Sequence, residues 1–140
     1  MIARYENTEI AQIWSKQNQL EVWTKIEILV AKYWTQTGLI SQIDFAKISK
    51  VKPDLERLQA IEKNNVHEFA AFVEMLANQV GKSGKWIHYG LTSNDVLDTS
   101  QNYLLKQSAT HVKGQLNKLL VLLQAKAHQE KNTLCLGRTH

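Results

Sequence analysis

Apolar residues recur at steps of three and four along nearly the whole chain, and one proline (Pro53) and six glycines leave few interruptions. That spacing predicts helices throughout and an all-α fold. A short helix is expected after Asn7 or Thr8, with Ile10, Ile13 and Trp14 on one face. A second starts at Ser15, carries Leu20, Trp23, Glu27, Val30 and Trp34 as its stripe, and closes at Gly38, the residue type that best tolerates a helix C-terminal cap. Trp23 and Trp34 are read as core aromatics. A small helix over Ser41 to Ser49 should turn Ile43, Ala46 and Ile48 inward, and Pro53 suits the first turn of the next helix, with Leu55, Leu58 and Ile61 as its stripe. Asn64 and Asn65 break the pattern before a helix that begins beside His67 and buries Phe69, Phe72, Val73, Leu76 and Val80.

The last element dominates. From Asp95 to about Glu130 there is no proline and one glycine, Gly114. Val96, Tyr103, Leu104, Val112, Leu116, Leu119, Leu123 and Ala127 keep a helical stripe, and Thr92 or Ser93 supplies the cap, with Asp95 and Asp98 near the positive end of the dipole. At 1.5 Å per residue such a helix spans ~54 Å, against a diameter of ~37 Å for a compact chain of this size. It must protrude, unless a kink near Gly114 folds it back. Leu119, Leu120, Val121, Leu122 and Leu123 are consecutive and wrap the whole circumference. Such a belt calls for partner helices from further chain or other subunits.

Composition narrows the class. Of the 140 residues 44% are hydrophobic and 21% charged, the balance of a globular protein. No apolar run reaches the ~18 residues of a membrane span and no signal peptide follows Met1, so a cytoplasmic location is expected. The lone cysteine, Cys135, offers neither an internal disulfide nor a thiolate metal site. The net charge of +4 comes without a basic run or interleaved aromatics, which argues against nucleic acid and suits a small anionic ligand. Gly81-Lys82-Ser83 resembles the end of a phosphate-binding P-loop, but Leu76 stands where its first glycine is needed and no strand precedes it.

Candidate chemistry lies at the element ends. His111 and His128 fall inside the long helix and read as surface or inter-helix residues, whereas His67, His88 and His140 sit where side chains can be aimed into a cleft. In Trp86-Ile87-His88-Tyr89-Gly90-Leu91-Thr92-Ser93-Asn94-Asp95 a glycine turn delivers two hydroxyls to the start of the long helix, a place suited either to an anion or to simple capping. In Gly137-Arg138-Thr139-His140, Arg138 can pair with a carboxylate and His140 can transfer a proton near neutral pH. Arg4-Tyr5 fits a phosphate clamp or an ordinary surface pair.

Taken together and in this order, Arg4-Tyr5, His67, the block from Trp86 to Val96, the long helix and Gly137-Arg138-Thr139-His140 resemble the adenylosuccinate lyases of the fumarase/aspartase superfamily. The resemblance runs along the whole chain. Its central block is specific, while Gly-Arg-Thr-His is shared across the superfamily and fits argininosuccinate lyase as well. The resemblance implies β-elimination of fumarate from adenylosuccinate, giving AMP, and from the succinyl-carboxamide purine intermediate SAICAR, giving AICAR. It makes His140 the general acid and His67 its neighbour in orienting substrate and assisting the proton. His88, Thr92, Ser93, Glu68 and Arg138 become substrate-binding groups, and Arg4 with Tyr5 becomes part of the phosphate clamp. No metal or organic cofactor is implied.

Departures bear on one corner of this site. The family commonly places Asp after the histidine matched by His67, often with a basic residue before it; here Glu68 follows and Val66 precedes. The family's catalytic serine, on a mobile loop far downstream, has no counterpart in these residues, and its active sites are built from three subunits of a homotetramer. Residues 1–92 are therefore expected to be a small N-terminal helical domain and residues 93–140 the start of a central bundle. The piece alone is expected to be inactive. A non-catalytic helical assembly module is the reading from another class.

Overall fold

Four helices of the computed structural model, which describes residues 3–63 and 67–138, begin at a short polar residue whose side chain caps the first turn. After a 3-10 turn at Ala3–Tyr5, α1 (Thr8–Ile13) is capped by Asn7, whose side chain accepts from the Ile10 N–H. Ser15 caps α2 (Lys16–Gln36) through the Asn18 N–H, Ser41 caps α3 (Gln42–Ile48) through Asp44, and Asp54 caps α4 (Leu55–Glu62) through Arg57. In each, a short polar side chain satisfies one of the orphan N–H groups of the first turn. Then follow α5 (Glu68–Val80), 3-10 turns over Gly81–Trp86 and α6 (Ser93–Glu130). The fold is all-α: 77% of the described residues are helical, and no strand occurs among them.

The core lies where α2, α4, α5 and the first turns of α6 converge. Leu20, Trp23, Leu58, Phe72, Met75, Leu76 and Val96 are buried there, with Ile48 and Val51 closing one end. Side chains of this size each contribute about 1.5–3 kcal/mol on leaving water. On α6, Val96, Ser100 and Leu104 are the buried positions, four residues apart, so one narrow stripe docks on α2. Trp14, the C-cap of α1, extends this contact by donating its Nε1–H to Ser108 Oγ at 3.0 Å.

Three local expectations are corrected. Ile43 is 73% exposed and Ala46 is exposed too; Phe45 and Ile48, three apart, are the residues of α3 that meet the core. Pro53 precedes the cap Asp54 instead of lying in the first turn. Trp34 is only partly buried, packed at the rim with its Nε1–H donated to the Tyr89 carbonyl at 3.2 Å. Asn64, Asn65 and Val66 lie outside the described residues.

The long helix is continuous through Gly114 and does not fold back. Its 38 residues span about 57 Å, and residues 112–129 are all exposed, including Leu119 to Leu123.

Candidate active site

Two helices start at the same place. The N-terminus of α5, at His67 and Glu68, and that of α6, at Ser93, open onto a cleft of about 790 Å³ floored by Trp23, Phe69, Val73 and Leu97, with His88 on its wall. First-turn N–H groups have no intrahelical partners and carry the positive end of the helix dipole, which favours negative charge beside them, and the carboxylate residues Glu68 and Glu74 also line the cleft. His67 occupies the cap position of α5 without spending its side chain on a capping bond. His67, Glu68, His88 and Ser93 are thus brought together.

His88 is held most firmly. Its backbone has φ +62°, the left-handed region that histidine enters at a cost of order 1 kcal/mol. The bond that holds it there comes from Glu27: Oε2 accepts the His88 backbone N–H at 2.8 Å and Oε1 pairs with ring Nδ1, also at 2.8 Å. Glu27 is buried. The Phe69 ring lies 5.1 Å from the imidazole. Gly90 (φ +75°) completes the turn, and its bare Cα lets Trp34 approach to within 3.3 Å of where a Cβ would stand. Sequence reading missed Glu27, although a carboxylate on an otherwise apolar stripe with Leu20 and Trp23 was a signal of its own.

Glu68 forms an ion pair with Lys16. Burial holds the Lys16 ammonium below its ordinary range, partly offset by the charge of Glu62, and its Nζ lies 5.1 Å over the Trp23 ring. The two hydroxyls at the start of α6 divide their tasks. Thr92 caps: its N–H and hydroxyl both donate to Asp95 Oδ2, at 2.7 and 2.9 Å. These bonds hold the Asp95 carboxyl below its usual value, with desolvation opposing and the nearby His88 adding a small pull. Ser93 is the hydroxyl residue that lines the cleft.

Three other predicted site residues, Arg4, Tyr5 and Arg138, do not line the cleft. The Arg4 guanidinium sits 5.1 Å over the Tyr5 ring, and Tyr5 is largely exposed; neither lines the cleft. Arg138 is exposed in the irregular segment after α6. His140 lies outside the described residues. Among the described residues no group of three or more His, Cys, Asp or Glu side chains converges in a way that could hold a metal, and no helix is long and apolar enough to cross a membrane.

Comparison with known proteins places this architecture. The chain superposes on the crystal structure of a fumarate lyase from Mesorhizobium sp. BNC1 with a TM-score of 0.84, covering 96% of this chain and 33% of that one at 22% identity, a likeness of fold. It is 40% identical to the adenylosuccinate lyase of Staphylococcus saprophyticus over its entire length, and spans 33% of that relative. Residues 5–140 match the lyase family. The family match over nearly the whole chain places it in that family, the lyases of the fumarase/aspartase superfamily.

Proposed function

We propose that this chain forms part of an adenylosuccinate lyase, eliminating fumarate from adenylosuccinate and from SAICAR. The observation that carries the reading is the cleft uniting His67, His88 and Ser93 at two helix starts, in a chain 40% identical to an adenylosuccinate lyase. In the reaction a base removes a proton from the succinyl carbon beside a carboxylate. The electron pair forms the C=C bond of fumarate, the C–N bond breaks, and an acid protonates the departing nitrogen. Negative charge accumulates on the carboxylate as the proton leaves, so fixed donors around it stabilise the transition state more than the ground state. Ser93 and His88 suit that task, His67 orients substrate, and His140 is the acid. Arg138 takes a carboxylate, while Arg4 and Tyr5 take the phosphate.

Chain length constrains how these groups meet. His140 follows the end of α6 by ten residues, which reach at most about 35 Å when fully extended. The cleft lies at the other end of a helix of about 57 Å. A site containing both His67 and His140 therefore draws on two copies of the chain, in keeping with a homotetramer, and the Leu119 to Leu123 belt supplies apolar surface for it.

The test uses the complete gene product. Fumarate should appear from adenylosuccinate but not from argininosuccinate, and His140→Gln should abolish turnover while leaving assembly intact. Turnover unchanged by His140→Gln removes the acid assignment, and release from argininosuccinate moves the protein to another branch of the superfamily. The isolated 140 residues, freed of host enzyme, should release none.

A further inference from the structure

Glu27 is the only buried ionisable side chain among the described residues, and both of its oxygens are spent on one residue. Oε2 accepts the His88 main-chain N–H and Oε1 the ring Nδ1, each at 2.8 Å. A carboxylate can only accept, so this pairing assigns the proton to Nδ1 and leaves Nε2 as the ring nitrogen available to the cleft that His88 lines. The left-handed backbone at His88 and the Phe69 ring 5.1 Å away restrict the imidazole further. One buried group thus sets the backbone, the tautomer and the aim of a single side chain.

We infer that Glu27 is a positioning residue of the lyase site, which acts through His88 by fixing its Nδ1–H tautomer and turning Nε2 toward the substrate. The inference rests on the lyase reading of the cleft. At metal centres, removing the carboxylate that orients a ligating histidine costs about 10–100-fold, and Glu27 holds the His88 ring by the same kind of bond. Glu27→Gln is the informative change: it keeps the volume but places an N–H₂ where an acceptor stood, so that the ring can adopt the opposite tautomer.

In the complete lyase, Glu27→Gln should lower kcat/KM for adenylosuccinate at least about tenfold with cooperative melting retained. His88→Ala should lower it too, and the double variant should fall no further than His88→Ala alone, because groups that act as one unit are not additive. Additive losses, or an unimpaired Glu27→Gln beside an impaired His88→Ala, overturn the inference and leave the lyase reading standing. Should Glu27→Gln fail to fold, Glu27→Asp enters the same cycle under the same criterion. If His88→Ala turns over normally, or the parent protein releases no fumarate, it is the lyase reading that fails. The positioning claim is then decided by ¹⁵N spectra of the His88 ring. An Nδ1–H tautomer in the parent that gives way to Nε2–H in Glu27→Gln supports it, and one tautomer in both overturns it.

Discussion

Trp23 joins the core to the cleft through several contacts at once. Its ring packs on Phe69 and Phe72 at centroid distances of 5.2 and 5.3 Å, and its Nε1–H donates to Ser100 Oγ at 2.8 Å across the α2–α6 seam. The Ser100 hydroxyl in turn donates to the Leu97 carbonyl at 2.8 Å. Ser100→Ala strands the indole N–H in a buried site and should destabilise the protein by about 1–3 kcal/mol, read as a shift in denaturant midpoint with an unchanged slope. The helical spacing of Trp23 made its burial legible. Its partner was not, because Ser100 lies 77 residues away and nothing local marks one serine among several. The same limit hid the partner of Glu27: its position on the stripe was visible, but His88 is 61 residues on, and only the fold shows that the two meet. His67, His88 and Ser93 were legible as candidates because element ends aim side chains into clefts.

At the scale of elements, capping chemistry was the most readable layer, since the pairing runs between residues three apart and needs no tertiary knowledge. Asn7, Ser15 and Ser41 each start a helix where the sequence places one. The cap of α6 carries a pH prediction. Asp95 has its pKa lowered from 3.8 by the Thr92 N–H and hydroxyl, so its contribution to stability is full above that value and is lost as pH falls through the lower folded-state pKa. The stability gap between the parent protein and Asp95→Asn should therefore narrow below about pH 3.8, measured by thermal melts across the acid range; a gap that stays constant to pH 2 or so removes Asp95 as the source. Short helices were the least readable. With seven residues in α3, two turns give several equally apolar faces, and the choice of Phe45 over Ile43 is made by packing. At the turn after α5, Gly84 sits so close that an added Cβ would meet the Ala77 carbonyl oxygen at 2.6 Å. Backbone cannot yield as a side chain tip can, so Gly84→Ala should cost about 1–3 kcal/mol, seen as a lowered melting temperature.

The whole molecule is divided along α6. Up to Ser108 the helix is tied to α1 and α2 by buried or hydrogen-bonded contacts, whereas residues 112–129 touch water on every side. Five consecutive apolar residues leave no polar face there, and Leu119 to Leu123 are 51 to 67% exposed in the single chain. Each leucine buried in an assembly contributes about 1.5–3 kcal/mol, so covering the belt outweighs any interaction the isolated helix can make with solvent. A charge placed in that belt and left unpaired on assembly costs several kcal/mol. In the complete protein, Leu119→Glu combined with Leu122→Glu should shift the sedimentation profile toward smaller species and lower turnover in parallel. The residues near the α5 and α6 starts should keep their fold, because no residue of α6 beyond Leu104 is buried. An intact assembly with these two charges in place would show that the belt is not an interface between copies of the chain, and the proposed pairing of His67 with His140 from two copies would need another surface.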